Sequence, residues 1–328
     1  MILYFIFVVI ITLFYSWLLW KLDRYEHEPM KLLVAAFLWG AIPAILLSGI
    51  LEVIFSVPIK GWVISAGMRE LALGSFLAPV VEESVKGLAL LGLYLWAYWE
   101  FDDPVDGIVY GGLVGFGFAM VEDFAYISGS SHPLLVTMLR TIPFGLNHAF
   151  FTGITGAALG FARLKKGKSW RYLLPIAGLL LAMTFHAVHN LGATASSVTL
   201  LGLLLSVFSD WMGVLWLLIV ALIALKQERG WIKKYLSDEV GECISESDFE
   251  HIISRKKFKQ WLKQGSPEER KLRKELYDLT VNLAFKKAEL AKNINKKEDS
   301  ALDKQIEALR KKISTVQNKL AQTAEEEA

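Results

Sequence analysis

Residues 198–225 read VTLLGLLLSVFSDWMGVLWLLIVALIAL, and this stretch decides the class of fold. Asp210 is its only charged residue. A helix crosses the hydrocarbon core of a bilayer with roughly 20 mostly apolar residues. The stretch is long enough for one such crossing, so the chain is predicted to be an integral membrane protein.

Six further apolar stretches of similar length precede this one. The first of them lacks a basic start and a small-residue cleavage site, so it is interpreted as a span and not as a signal peptide. The predicted fold is therefore an all-α, polytopic membrane domain of about seven transmembrane helices over residues 1–225. The six stretches cover, approximately, residues 2–20, 32–55, 71–99, 105–128, 141–164 and 173–194.

Charge is unevenly distributed along the chain. Residues 1–225 carry 12 of the 35 lysines and arginines and 14 of the 33 acidic residues, and the polar remainder carries 23 and 19. The mean hydropathy of +0.40 argues against an ordinary soluble enzyme, and a single cysteine, Cys243, excludes a disulfide-stapled secreted module. Because both signs are mixed in the tail, nucleic acid is not an expected partner.

Lysines and arginines in the short loops indicate the orientation, because positive loops stay on the cytoplasmic side. The loops after the first, third and fifth spans carry eight basic residues, and the loops on the other side carry three. The lysine-rich tail lies on the side with eight. The N-terminus is therefore predicted to be outside and the C-terminus in the cytoplasm.

The polar tail is predicted to have two parts. Residues 226–265 resemble short juxtamembrane helices, either lying on an anionic leaflet of membrane lipids or folded together. Residues 266–328 contain two stretches with apolar residues three and four apart, separated by NKKEDS. They predict an antiparallel coiled-coil hairpin or, if the pairing is between chains, a homodimer.

Ionisable side chains inside the spans are functional candidates, because charge at membrane depth costs a few kcal/mol or more. Helical spacing places Glu82 and Lys86 on one face, and the glycines of the fourth span allow close helix approach. Counted from the predicted span ends, the polar groups of the third to sixth spans lie within about two helical turns of one depth. They predict one cavity in the outer half of the membrane. The candidates are Glu82, Glu83, Lys86, Glu122, Asp123, His148, His186, His189, Asn190 and Asp210.

Carboxylates beside imidazoles and an amide suit three kinds of chemistry. They can activate water as general bases, hold a zinc ion that activates water, or relay protons in a transporter. A catalytically silent scaffold that binds other spans is the alternative from a different class, and it would tolerate the loss of Glu82 or Glu83. A transporter is expected to contain inverted repeats, which the sequence does not show.

Four motifs in order, on successive spans, resemble the PrsW family of bacterial intramembrane proteases. The resemblance covers about residues 20–265. Asp123 departs from it, because the family usually has asparagine there, and this puts the local hydrogen bonding of Glu122 in doubt. The motifs are EESVK at 82–86, FAMVE at 118–122, NHAFF at 147–151 and HAVHN at 186–190, with further matches in DRYEHEP at Asp23–Pro29 and FDDPVDGIVYG at Phe101–Gly111.

The resemblance implies hydrolysis of a peptide bond in a membrane-protein substrate, such as an anti-sigma factor, at the bacterial plasma membrane. Glu82 or Glu83 is then expected to activate water, with Lys86 holding the charge state of the pair. His186 and Asn190 are expected to position the water or to stabilise the oxyanion.

The same resemblance leaves the need for a metal open. Glu122 and His148 are expected to bind or orient either the water or the metal. If zinc is used, the candidate ligands are Glu83, Glu122, His148 and His186.

Overall fold

The computed structural model describes residues 1–23, 25, 28–62, 65–98, 100–165, 167–196, 199–292 and 296–326. Within these residues the regular elements are helices, and the β structure there is an isolated bridge between Val240 and Ile244. The all-α prediction is therefore confirmed. The chain divides into two compact units.

The first unit contains Met1–Asp23 and the described part of residues 28–224. Two π-helical segments, Gly40–Ala44 and Leu71–Leu77, run directly into the α-helices that follow them. The α-helices are α1 (Ile2–Trp20), α2 (Met30–Trp39), α3 (Ile45–Trp62), α4 (Ala66–Glu70), α5 (Ala78–Trp96), α6 (Pro104–Gly129), α7 (Pro133–Thr141), α8 (Asn147–Leu164), α9 (Lys168–Ala195) and α10 (Leu200–Ser237), of which α10 continues into the second unit.

Five helical stretches in the described part of the chain are long and apolar enough to cross a membrane. A multi-pass membrane protein is thus confirmed. The other two predicted spans are helical as α5 and α8, but α5 carries three charged side chains and α8 is less apolar, with Asn147 and His148 at its start and Arg163 near its end. The five stretches are Ile2–Trp20, Met30–Gly61, Pro104–Gly129, Ser169–Ala195 and Leu200–Ser237.

Two helix boundaries differ from the sequence prediction. The fifth predicted span began at Thr141, whereas α8 begins at Asn147. Pro143, which has no backbone N–H to donate, lies in the turn that separates α7 from α8. The last span was expected to end at Leu225, but α10 continues to Ser237, because Ile232 and Leu236 are buried in the core of the second unit.

Helix α6 is central to the first unit and is buried along most of its length. It packs chiefly on α8, and glycines allow their backbones to touch. A Cβ atom on Gly156 of α8 would lie 1.8 Å from the Gly107 carbonyl oxygen, and one on Gly115 would lie 2.3 Å from the His148 carbonyl oxygen. This close approach brings the first turn of α8 against α6, as the glycines of the fourth predicted span indicated.

The second unit contains Tyr25 and the described part of residues 225–326. Its core joins the end of α10 to both long C-terminal helices, whose apolar residues include Leu276, Leu283, Ile306 and Ile313. Since these side chains are covered within one chain, they give no support to the predicted homodimer. After α10 the helices are α11 (Glu246–Ile253), α12 (Arg255–Lys263), α13 (Pro267–Lys292) and α14 (Lys296–Glu326).

Candidate active site

Lys86 lies at the centre of a buried polar network in the first unit. Its Nζ is 3.1 Å from Glu82 Oε2 and 2.9 Å from Glu83 Oε1, one turn away on α5. The ammonium also lies 3.6 Å from the ring centroid of Phe118 on α6. The Lys86 side chain is fully buried, so this cation compensates the two carboxylates out of contact with solvent. The polar network comprises Glu82, Glu83, Lys86, Glu122, His148, Thr152 and His186.

Glu83 is held by groups from three helices. Besides Lys86, it accepts a hydrogen bond from Thr152 Oγ1 of α8 at 3.0 Å, and His186 Nδ1 of α9 lies 3.1 Å from its Oε1. Because an ionised carboxylate only accepts, His186 Nδ1 carries the proton in this contact and its Nε2 presents a lone pair. That Nε2 lies 3.9 Å from Glu82 Oε2.

His148 joins α5, α6 and α8. Its Nδ1 lies 3.1 Å from Lys86 Nζ, and its Nε2 lies 3.0 Å from Glu122 Oε2. Since a protonated lysine only donates, Nδ1 accepts and Nε2–H donates to Glu122. Six of the seven catalytic candidates thus lie in one network.

Arg140 of α7 is a member of the site surroundings that the sequence analysis did not single out. Its guanidinium pairs with both Glu122 and Asp123 of α6 and lies 4.1 Å from the ring centroid of Tyr126. The carboxylate of Asp123, which stands where the family usually has asparagine, is therefore paired with the Arg140 cation. The side chains of Glu122 and Arg140 are 17% and 19% exposed, whereas that of Glu83 is 0% exposed, so the network reaches the surface of the unit at this end.

Three other polar candidates lie outside the network. Asn190, the seventh catalytic candidate, donates from Nδ2 to the Gly74 carbonyl oxygen at 2.9 Å in the π-helical segment before α5. His189 and Asp210 are close to each other, with 2.7 Å between Nδ1 and Oδ2. No pattern in the sequence links these two side chains.

The donor set fits a metal ion in its chemistry. Glu82, Glu83, His148 and His186 each offer a ligand atom, and these atoms all lie within 4.8 Å of one another. Carboxylate oxygen and imidazole nitrogen are the donors that catalytic zinc uses. This set contains Glu82 where the sequence analysis expected Glu122, which instead contacts His148 Nε2 and Arg140.

The chain is similar to known proteins. A family model described as PrsW family intramembrane metalloprotease matches residues 28–225. A protein named Protease PrsW from Geobacillus kaustophilus is 30% identical over 169 residues, which is 51% of this chain and 69% of that protein. The corresponding protein of Bacillus subtilis is 28% identical over 58% of this chain and 84% of its own length.

A third relative of the same name, from Clostridioides difficile, is 29% identical over 51% of this chain and 69% of its own length. No solved structure matches the chain. The family match covers more than half of the chain and includes all four motifs that form the polar network. The chain therefore belongs to the PrsW family of intramembrane metalloproteases.

Proposed function

We propose that this protease hydrolyses a peptide bond of a membrane-protein substrate at the polar network. The observation that carries the proposal is the meeting of Glu83, His148 and His186, which come from three different helices. Lys86 joins Glu83 to His148, and Glu83 contacts His186 directly. Carboxylate and imidazole groups in hydrogen-bond contact are suited to activating water and moving its proton. A polar contact with only a structural role would not require polar residues from all four motifs to meet in one place.

Glu82 is the carboxylate that we assign as general base. Its side chain is 8% exposed, and among the described residues it contacts Lys86 and His186. Glu83 is fully enclosed, with both oxygens already bonded, so we assign it to holding Lys86 and His186 in place. His186 Nε2, with its lone pair free, is the group that positions the water.

The same residues could hold zinc, whose ligands would be Glu82, Glu83, His148 and His186. When bound, zinc would polarise the scissile carbonyl and lower the pKa of a water molecule. Glu122, which then remains outside the ligand set, would accept the proton of the water. Lys86 would have to move away from the oxygens that it contacts.

The membrane topology that we propose adds two crossings to the five long apolar helical stretches. Helices α5 and α8 would complete seven crossings, with the N-terminus outside, the tail in the cytoplasm and the site open to the outside. The loop charges of the sequence support that orientation. A site on that side suits a substrate of the anti-sigma-factor kind, cut outside the cytoplasm. In the tail, α11 and α12 would form the juxtamembrane segment, and α13 and α14 the helical hairpin.

The test is cleavage of a fluorogenic single-span peptide by the purified chain in proteoliposomes. Glu82→Gln, Glu122→Gln and His186→Ala are each expected to reduce the rate by at least 100-fold. Glu70→Gln, an exposed glutamate at the end of α4, is the matched control and should cleave normally. A parallel sample treated with chelator and then with zinc decides the metal requirement. If all three site variants cleave like the control, the chain is a scaffold at this site and the proposal is wrong.

A further inference from the structure

A second buried polar chain lies behind the polar network and takes no part in the mechanism proposed above. It comprises Asn147 at the start of α8, His189 of α9 and Asp210 of α10, which are 4%, 6% and 2% exposed. We infer that Asp210 acts through His189 and Asn147 as a positioning residue for His148. The inference rests on the proposed function, because it assigns to these residues a task in that same site.

The direction of the hydrogen bonds among these three side chains is fixed first at Asn147. The backbone N–H of His148 lies 2.6 Å from Asn147 Oδ1, and an N–H can only donate. The amide oxygen must therefore face His148, since the opposite orientation would place the Asn147 Nδ2 donor against the backbone N–H donor. Asn147 Nδ2 consequently faces His189 Nε2, at 3.3 Å.

The tautomer of His189 follows from this contact. Asn147 Nδ2 donates, so His189 Nε2 must present a lone pair and Nδ1 must carry the ring proton. Nδ1 lies 2.7 Å from Asp210 Oδ2.

Asp210 lies against this nitrogen. His189 Nδ1 and Asp210 Oδ2 are 2.7 Å apart, at an angle that does not make a regular hydrogen bond, and neither atom has another hydrogen-bond partner among the described residues. A buried carboxylate without a partner carries a large desolvation cost. The negative charge of Asp210 beside Nδ1 therefore favours the tautomer with the proton on Nδ1, which is the one that accepts from Asn147.

The consequence is a link from α10 to the catalytic imidazole. Ser206 Oγ, one turn before Asp210, donates to the His189 carbonyl oxygen at 2.7 Å, so α9 and α10 are tied at two points. Asn147 carries the link to the first turn of α8. There His148 must keep its ring between Lys86 and Glu122, at contacts of 3.1 and 3.0 Å. Outer partners that fix a histidine in this way are commonly worth tenfold or more in activity.

Four variants test the inference in proteoliposomes. Asp210→Leu removes the acceptor and also removes a buried charge from the membrane unit, so it should lower kcat about tenfold while KM stays within twofold. Asn147→Asp, which cannot donate to His189, should do the same. Asp210→Asn keeps a neutral acceptor and should restore most of kcat. Ser209→Ala, which removes a hydrogen bond to Ser206 O on the same turn, is the control and should leave kcat unchanged.

Two outcomes overturn the inference on kinetic grounds. One is an Asp210→Leu variant with the kcat of the unmodified chain. The other is a fall in kcat accompanied by an equal loss of folded protein in thermal unfolding, with no rescue by Asp210→Asn, because that pattern describes a merely structural residue.

A spectroscopic readout separates this inference from the proposed function. In ¹⁵N-histidine-labelled protein, with His189 assigned by its loss in His189→Asn, solid-state NMR should show protonated Nδ1 and unprotonated Nε2, and Asp210→Leu should change this pattern. The opposite tautomer in the unmodified chain overturns the inference whether or not the protein cleaves. Absence of cleavage by the unmodified chain, with the expected tautomer present, overturns only the proposed function.

Discussion

Lys86 Nζ lies 3.1 Å from His148 Nδ1, and this contact joins α5 to α8 at the centre of the polar network. The lysine donates, so the Nδ1 lone pair of His148 is already in use. A zinc ion bound by His148 through Nδ1 would need that same lone pair, together with oxygens of Glu82 and Glu83 that Lys86 also contacts. Lys86 and a metal ion would therefore compete for one position.

The competition predicts the behaviour of Lys86→Met. Without the ammonium, Glu82 and Glu83 are buried beside each other with no cation, which should lower the free energy of unfolding by about 3–5 kcal/mol in metal-free buffer. Added zinc should restore the unfolding temperature of this variant and should bind to it more tightly than to the unmodified chain. Thermal unfolding in detergent, with and without zinc, measures both effects.

Lys60→Met is the control for this prediction, because Lys60 is an exposed lysine on α3. It should show neither the loss of stability nor the response to zinc. Equal responses of the two variants to zinc would mean that Lys86 does not occupy the metal position.

Thr152 and Thr155 give a matched pair on α8. Thr152 Oγ1 donates to Glu83 Oε2 at 3.0 Å, whereas the buried Thr155 Oγ1 has no hydrogen-bond partner among the described residues. Thr152→Val should therefore destabilise the chain by about 1.5–3 kcal/mol, because it removes a hydrogen bond to a charged group. Thr155→Val should be neutral or stabilising. Similar losses in the two unfolding measurements would contradict the role given to Thr152.

Gly115 and Gly129 test the close approach of α6 and α8. An added Cβ on Gly115 would lie 2.3 Å from the His148 carbonyl oxygen, and one on Gly129 would meet nothing within 4 Å. Gly115→Ala should displace the first turn of α8, with a stability cost of about 1–3 kcal/mol and loss of reporter cleavage. Gly129→Ala should retain both. Normal cleavage by Gly115→Ala would show that the packing does not position His148.

The contacts of Glu239 predict that the second unit loses stability in acid. Burial raises the pKa of this carboxyl, but hydrogen bonds from Arg310 and Lys287 outweigh that effect and lower the pKa to about 2. The contribution of Glu239 is therefore fully present above its ordinary pKa of about 4.5, and it is lost as the pH falls toward 2. Hydrogen exchange of α13, corrected for the intrinsic rate at each pH, should show protection falling in that window.

Glu239→Gln is the comparison for the acid response. It should have weaker α13 protection than the unmodified chain at pH 6, and the difference should shrink as the pH approaches 2. A difference that is the same at every pH would show that the charge of Glu239 is not what stabilises the unit.

The sequence was most informative where a residue's environment follows from helix period and length. Counting residues from span ends predicted Glu83, His148 and His186 to lie within about two helical turns in depth. In the structure His186 contacts Glu83, and Lys86 joins His148 to Glu83. Composition also separated the apolar unit from the polar tail near Leu225, although the helix itself runs on to Ser237.

Other contacts could not be predicted, because they join residues with no shared period. Arg140 was counted as a loop cation, and its pairing with Glu122 and Asp123 depends on the path of α7, a short helix that no long apolar stretch marks. Thr152 has no distinguishing pattern among apolar neighbours. Asp210 pairs with His189 from another helix, which hydropathy cannot reveal.

The rate of reporter cleavage by Glu83→Gln tests most directly whether the polar network is the catalytic site. The substitution keeps the size of the side chain, so the variant's unfolding temperature shows whether it still folds. We expect folded Glu83→Gln to cleave at least 100-fold more slowly than the unmodified chain, because Lys86 and His186 lose their shared anionic partner. A folded Glu83→Gln variant that cleaves at the unmodified rate would contradict the account.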